Sequence, residues 1–361
     1  MKLRAFQVAT VALGLMIGLV LTELGLWWVL PLERLRYIHG RSRTVFQYDP
    51  ANVRFDPRVG FAGKPNRVVP FENWEFSTTV ATNRMGFRDD DRSLDNPDIL
   101  FLGDSFAFGW GVEKDQSVEG CFENATRLKV LNLAFPGYGT NQEILTLFDV
   151  AERLNLRGKT AVFWFYINDP YDNRGTGFDD APRTLFRQGK VSFTPPTPTG
   201  FADHLTAVNA EMNHGLARRS LVADQLARAF EKLRERVLGP RSCIPRCVPA
   251  EPEASADVHE MLERTIELLT SFARERSLKV AFVFVPAIGH PDLDQAYRKL
   301  AAVLSRQRVP LLDLRPMLTE QDYYPIDGHW TASGHRKAAA SAARWLTELG
   351  LLPAPPAAAP R

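Results

Sequence analysis

Two polar motifs supply residue types that hydrolysis of an ester requires. The apolar residues 99–102 lead into Gly103-Asp104-Ser105, and Asp327-Gly328-His329 lies near the C-terminal end. Serine is a poor nucleophile at neutral pH, so it needs a base, and the base needs a residue that orients it. Ser105 as nucleophile, His329 as base and Asp327 as the orienting carboxylate would make such a catalytic set.

Two further residues offer hydrogen-bond donors to a tetrahedral intermediate, which requires preorganised donors. Gly137 lies in a segment where glycine lets a backbone N–H approach a ligand closely, although a simple turn requires glycine equally often. Asn168 offers a side-chain amide, or simply closes a turn. With the backbone N–H of Ser105, these residues would form an oxyanion hole.

The motifs fall at the ends of predicted strands. Apolar runs predict strands at residues 99–102, 129–134, 160–167, 278–285 and 310–314. Amphipathic stretches predict helices at residues 117–127, 141–154, 261–276, 293–304 and 331–349. This alternation predicts a three-layer α/β/α domain with a five-stranded parallel sheet. The loops after the strands lie at one edge of the sheet, where Ser105 and His329 can meet.

The composition excludes several classes of protein. The 361 residues are 45% hydrophobic, which is enough for one large domain or two smaller ones. A net charge of +2 implies no strong attraction to nucleic acid. Three cysteines do not make a disulfide scaffold; Cys243 and Cys247 could pair in an oxidising compartment, and a metal site there is disfavoured. We expect no metal and no organic cofactor.

The N-terminal segment predicts a membrane anchor. Lys2 and Arg4 precede uncharged residues 5–22, and Trp27 and Trp28 suit a membrane interface. No small-x-small cleavage site follows, so residues 1–32 are interpreted as an uncleaved signal anchor. Four arginines between residues 34 and 43 favour a cytoplasmic location for the rest of the chain. The hydrolase interpretation instead favours an extracytoplasmic domain, at the bacterial inner membrane.

The remaining segments divide the chain further. Residues 33–97 are interpreted as an N-terminal arm with short strands, and residues 98–350 as the hydrolase domain. An insertion at residues 172–256, with a helix near 216–237, would be a lid or a partner-binding arm. Residues 351–361 predict a disordered tail. Arg88, ahead of the first core strand, could pair with a core carboxylate or remain solvated.

Taken together, four motifs resemble the blocks of the SGNH (GDSL-type) hydrolase superfamily. They are Gly103-Asp104-Ser105, Gly137, Asn168-Asp169 and Asp327-x-His329. The resemblance covers residues 98–170 and 278–349 and implies a flavodoxin-like sheet. It also implies Ser105, Asp327 and His329 as the catalytic triad, and Ser105, Gly137 and Asn168 as oxyanion donors.

Two details bring the chain nearer to one branch of that superfamily. The commonest final block is Asp-x-x-His, whereas here one residue separates Asp327 from His329 and Trp330 follows. This shorter form is similar to membrane-associated SGNH-like proteins that act on bacterial polysaccharides. The segment from Asn83 to Arg88 resembles bacterial SGNH proteins with an N-terminal anchor.

The resulting hypothesis is a membrane-anchored serine esterase that removes O-acetyl groups from envelope glycans. A polysaccharide O-acetyltransferase, a lipid esterase and a catalytically silent envelope scaffold remain as alternatives. Phe106, Phe108 and Trp110 are expected to pack against the sheet rather than line an acyl pocket, and His335 is expected to be structural. The oligomeric state is left open.

Overall fold

The computed structural model describes most of the chain. The described residues are 2–29, 46–73, 75–167, 258–287, 293–325 and 327–353, with shorter pieces between 169 and 233. The chain divides into two compact units. One comprises Met1–Arg43 and Ala207–Cys247, and the other comprises Thr44–Thr206 and Val248–Arg361.

The first unit contains helix α1 (Lys2–Val29). Its segment Thr10–Val29 has a mean hydropathy of 1.8, and its side chains are not buried by the rest of the chain. A helix of about 20 residues rises about 30 Å, which matches the hydrocarbon core of a bilayer. The helix is therefore long and apolar enough to cross a membrane, as a signal sequence near an N-terminus would also be.

Glu23 lies within this apolar helix, and its carboxylate is hydrogen-bonded. Its Oε1 accepts from Trp27 Nε1 at 2.7 Å. Its Oε2 accepts from Ser220 Oγ at 2.6 Å and from the backbone N–H of Val222 at 2.9 Å. A carboxylate in apolar surroundings is costly unless donors satisfy it. These bonds explain how an acidic side chain is accommodated within the apolar segment; the helix itself continues because glutamate is a good helix former.

The second unit begins with two antiparallel hairpins. Strands β1 (Val53–Asp56) and β2 (Gly60–Gly63) form the first, and β3 (Val68–Glu72) and β4 (Ser77–Ala81) form the second. The second hairpin coincides with β-branched residues that predict short strands. The first is not predicted, because β2 consists mainly of glycine and alanine, which do not favour strands.

The central sheet has five parallel strands, as the sequence predicts. The remaining strands are β5 (Ile99–Gly103), β6 (Val130–Asn132), β7 (Thr160–Tyr166), β8 (Arg183–Arg187), β9 (Lys190–Thr194), β10 (Lys279–Val285) and β11 (Leu311–Asp313). Strands β8 and β9 form a separate antiparallel hairpin, and the sheet order is β6-β5-β7-β10-β11. This is the flavodoxin-like order, in which ligands bind at the carboxyl ends of the strands near the point where the order reverses. Strand β5, which leads to Ser105, lies at that point.

Helices cover both faces of the sheet and complete the predicted three-layer architecture. They are α2 (Ser105–Phe108), α3 (Val118–Thr126), α4 (Thr140–Arg153), α5 (Val258–Arg276), α6 (Leu293–Arg306) and α7 (Ala332–Glu348). Because strand side chains alternate between faces, Leu100 and Leu102 pack in the core with α4, α5 and α6. Phe101 instead packs edge-on against Phe122 of α3, with ring centroids 5.1 Å apart. Helix α7 contacts α3 on that second face.

Part of the predicted insertion lies outside the described residues. The hairpin of β8 and β9 belongs to it and lies beside α5. The helix expected near residues 216–237 falls largely outside the described positions, as do Cys243 and Cys247. Residues 354–361 of the predicted tail are also outside them.

Candidate active site

Ser105 stands where β5 turns sharply into the four-residue helix α2. Gly103 is needed in this turn, because a Cβ there would lie 2.7 Å from the Cβ of Ala107 and 3.0 Å from that of Trp164. Asp104 caps the helix, since its carboxylate accepts the backbone N–H of Phe106 at 2.9 Å. The turn presents a partly exposed Ser105 side chain at the edge of the sheet.

Asp327 and His329 lie on a tight loop between β11 and α7. The backbone N–H of Tyr324 donates to the carbonyl of His329 at 2.8 Å, and that of Gly328 donates to the carbonyl of Tyr324 at 3.0 Å. Gly328 has a φ of +84°, a conformation that glycine adopts without strain. This turn brings the carboxylate of Asp327 beside the imidazole of His329.

The structure brings Ser105, His329 and Asp327 together in a hydrogen-bonded chain. Ser105 Oγ is 2.7 Å from His329 Nε2, and His329 Nδ1 is 2.5 Å from Asp327 Oδ1. A carboxylate only accepts, so Nδ1 donates to it and Nε2 is left to accept the serine proton. The Asp327 side chain is 4% exposed, whereas that of His329 is 21% exposed. The carboxylate of Asp327 is therefore shielded from water, whereas the imidazole of His329 is partly exposed.

Two aromatic rings pack against the imidazole of His329. The ring of Trp110 stacks on that of His329, with centroids 4.9 Å apart and planes inclined by 22°. The ring of Phe106 is also 4.9 Å away, at 38°. Phe106, Phe108 and Trp110 are all buried, as the sequence favours. Phe106 and Trp110 contact the imidazole of His329, and all three side chains pack in the core rather than lining an open channel.

The sequence interpretation does not include the residues that hold the second oxygen of Asp327. Oδ2 accepts from Asn73 Nδ2 at 3.1 Å and from Trp110 Nε1 at 3.2 Å. The backbone N–H of Asp327 donates to Glu75 Oε2 at 2.6 Å. Asn73 and Glu75 lie in the turn between β3 and β4, where polar residues indicate only a turn. No local signal in the sequence connects that turn with a loop at the opposite end of the chain.

The predicted oxyanion donors are only partly described. Phe135-Pro136-Gly137-Tyr138 forms a β-turn in which the Tyr138 N–H donates to the Phe135 carbonyl at 3.1 Å. Proline precedes Gly137, whose φ is +80°, as a type II turn requires. The Phe135 N–H donates to the carbonyl of Gly103 at 3.1 Å, so this turn adjoins the turn that carries Ser105. Asn168 lies outside the described residues; Asp169 is buried and accepts from Thr140 Oγ1 at 3.1 Å.

Two ionisable groups near Ser105 and His329 have pKa values that are shifted by burial. Burial raises the pKa of Asp104 to about 6, although its bond from Phe106 and the nearby His329 oppose this. Burial, with Arg88 and His329 nearby, lowers the pKa of His335 to about 3. His335 is fully buried on α7, and its Nδ1 accepts the Val118 N–H at 3.1 Å. It is therefore a neutral structural residue, as the sequence favours.

Arg88 satisfies neither of the two expectations from the sequence. It is 3% exposed and donates to backbone carbonyls rather than to a carboxylate or to water. Its acceptors are the carbonyl oxygens of Phe108, Gly109, Val112 and Thr79. Burial lowers the pKa of its guanidinium to about 10, so it remains charged at neutral pH. Arg88 thereby ties the segment that carries Trp110 to strand β4.

The chain is similar to several solved esterases and lipases. A GDSL-like lipase from Bacteroides thetaiotaomicron is 11% identical, over 70% of this chain and 88% of that one, with a TM-score of 0.34. The psychrotrophic esterase EstA from Pseudoalteromonas is 9% identical, over 70% and 100%, with a TM-score of 0.37. A family two carbohydrate esterase from Clostridium thermocellum, in complex with cellohexaose, is 12% identical, over 70% and 65%, with a TM-score of 0.38. No protein-family model and no curated protein matches the chain.

Proposed function

We propose that this chain is a serine ester hydrolase of the SGNH type, which removes O-acetyl groups from envelope glycans. The observation that carries the proposal is the continuous chain of hydrogen bonds from Ser105 through His329 to Asp327. A serine that donates to an imidazole, itself oriented by a shielded carboxylate, is the arrangement that activates a hydroxyl for attack on a carbonyl.

In the proposed mechanism, Ser105 Oγ attacks the ester carbonyl and its proton passes to His329 Nε2. The protonated imidazole, stabilised by Asp327, then gives that proton to the leaving alcohol as the C–O bond breaks. Water attacks the acyl-enzyme, His329 takes the proton of that water, and the acid leaves as Ser105 recovers its own proton. The backbone N–H of Ser105, with Gly137 and Asn168, would stabilise the oxyanion at both steps.

Two features support a short acyl group and an envelope location. Phe106 and Trp110 are each 3% exposed and pack against the base, which leaves them unsuited to line a channel for a long acyl chain. Helix α1 is long and apolar enough to hold the enzyme at a membrane, where we propose that it anchors an extracytoplasmic domain.

The test is hydrolysis of p-nitrophenyl esters by the full chain in detergent, with Ser105→Ala as the control. We expect rapid turnover of acetate, weak turnover of long acyl chains, and loss of both in the variant. A preference for long chains would replace glycan O-acetyl groups with lipids as the substrate. Acylation without turnover until a sugar is added would indicate transfer to a hydroxyl in place of hydrolysis. Absence of Ser105 labelling by a fluorophosphonate would overturn the proposal.

A further inference from the structure

We propose that Asn73 and Trp110 are positioning residues of the triad, because together they hold the Oδ2 atom of Asp327 from outside the catalytic motifs. The inference rests on the proposed function and extends it to the N-terminal hairpin of β3 and β4. The turn of that hairpin would then supply contacts that hold Asp327, and the active site would be incomplete without it.

The orientation of the Asn73 amide is fixed by its own turn. Its Oδ1 accepts the backbone N–H of Glu75 at 2.7 Å and that of Phe76 at 3.1 Å. Its backbone N–H donates to the carbonyl of Phe76 at 2.9 Å, which closes the turn. With the oxygen committed to these two donors, the Nδ2 group has to face outward, and it points at Asp327 Oδ2. The hairpin therefore delivers a donor to the triad in one defined orientation.

Trp110 contacts both Asp327 and His329. Its indole N–H donates to Asp327 Oδ2 at 3.2 Å, and its ring lies face to face with the imidazole of His329. An aromatic face stabilises a neighbouring cation, and the imidazole becomes cationic when it takes the serine proton. Trp110 thus holds one oxygen of the Asp327 carboxylate by a hydrogen bond, and its ring favours the protonated imidazole formed during attack.

Glu75 secures the main chain of the same loop. Its carboxylate accepts the N–H of Asp327 at 2.6 Å, and a hydrogen bond to a charged acceptor is among the stronger ones. Asp327 is therefore held at its backbone by one residue of the hairpin turn and at its side chain by another. Two independent contacts from one short turn define where the carboxylate sits.

Other titratable groups lie near the pair of Asp327 and His329. Asp104 at the end of β5 and His335 on α7 interact electrostatically with His329. Tyr324 on the same loop and Glu75 on the hairpin lie near Asp327. A substitution at Asn73 leaves these titratable groups unchanged. Replacing the Asn73 amide by a carboxylate keeps the Oδ1 acceptor that the turn needs, but it sets a second carboxyl group beside Asp327 Oδ2, and such a pair holds one proton between its two members. When the pair loses that proton, the added negative charge favours the protonated form of the neighbouring imidazole.

The experiment measures the rate constant for labelling of Ser105 by a fluorophosphonate probe between pH 5 and pH 9, on the full chain in detergent. In Asn73→Asp we expect the pH midpoint of labelling to rise by about one unit, because the base has to lose its proton before it can activate Ser105. The control is Asn66→Asp, the same chemical change at an exposed residue of the same arm. We expect that control to follow the wild-type curve.

Trp110→Phe supplies a second variant, which keeps an aromatic ring and removes the indole N–H. We expect its labelling at pH 7 to be about tenfold slower, a change that corresponds to about 1.4 kcal/mol in barrier. On p-nitrophenyl acetate, Asn73→Asp should lower kcat at pH 7 and leave KM unchanged. Asn73 contacts the carboxylate of Asp327 and not the ester substrate.

The possible outcomes distinguish failure of the positioning role from failure of the proposed function. If wild-type Ser105 is not labelled, the proposed function fails. If wild-type Ser105 is labelled and Asn73→Asp has the same pH midpoint of labelling as Asn66→Asp, the positioning role of Asn73 is overturned. The role is also overturned if labelling of Asn73→Asp falls by the same factor at every pH. Wild-type labelling rates in Trp110→Phe would remove that residue from the proposal.

Discussion

Arg88 offers the sharpest test of how the scaffold supports the site. The prediction concerns Arg88→Met, which keeps an apolar stem of similar length and removes the guanidinium. The carbonyls of Phe108, Val112 and Thr79 lie 3.1, 2.6 and 3.3 Å from the guanidinium nitrogens, and that of Gly109 is also bonded. These acceptors lose a charged donor in a place where the arginine itself is 3% exposed.

The magnitude follows from what remains after substitution. Hydrogen bonds from a charged donor contribute about 1.5–3 kcal/mol each, and the removed charge no longer has to be buried, which offsets part of the sum. With three well-formed bonds and a longer fourth, we expect the free energy of unfolding to fall by about 3–5 kcal/mol. At an urea dependence of about 3 kcal/mol per molar, the unfolding midpoint should fall by at least about 1 M.

The assay is urea unfolding of the full chain in detergent, followed by circular dichroism. Arg84→Met is the matched control, because Arg84 is an exposed neighbour whose ion pairs with Asp91 and Asp95 lie at the surface. Such pairs contribute about 0–1 kcal/mol. A midpoint for Arg88→Met equal to that of Arg84→Met would refute the assignment of Arg88 as a buried structural donor.

Three further predictions concern other parts of the chain. His335→Gln should make the free energy of unfolding less sensitive to acid. In the folded protein His335 has a pKa of about 3, whereas in the unfolded chain the same histidine takes up a proton below about pH 6.5. The stability advantage of the wild type over the variant should therefore shrink by about 1.6 kcal/mol between pH 6.5 and pH 5, as measured by urea midpoints. Gly86→Ala should destabilise far more than Gly158→Ala in the same measurement, since both have positive φ but only at Gly86 would a Cβ meet a backbone oxygen, that of Gly63, at 2.2 Å. An alkaline phosphatase fused after residue 43 should be active, as the extracytoplasmic proposal requires, and activity confined to a cytoplasmic reporter at that point would contradict the proposal.

The strand and helix pattern is predictable because apolar residues occur in continuous runs in the central strands and at helical spacing in the helices. The residues of β7 are buried almost throughout, so the sequence shows a continuous apolar run of the kind that central parallel strands need. Residues 141–154 have apolar side chains at helical spacing, and α4 covers nearly the same span. The order of strands and helices then limits the topology to a few alternatives.

The supports of the candidate site were not predictable in the same way. Ser105 directly follows β5, and Asp327 and His329 lie in the loop between β11 and α7 at the same edge of the sheet, so the topology allows them to meet. Asn73 and Arg88 act through side chains that reach across the fold to partners far away in sequence, and no periodic pattern encodes such contacts. The burial of Arg88 is a further example, because its acceptors are backbone carbonyls, whose positions depend on the turn after α2 rather than on residue type.

The separation of the triad along the chain bears on when activity can begin. Ser105 precedes His329 by 224 residues, and Asn73 precedes Asp327 by 254. A polypeptide is made from its N-terminal end, so the serine and the hairpin emerge long before the loop that they serve. A nascent chain therefore carries Ser105 before His329 exists. Under the proposed function, ester cleavage begins only when Asp327 and His329 have been made and have folded against Ser105.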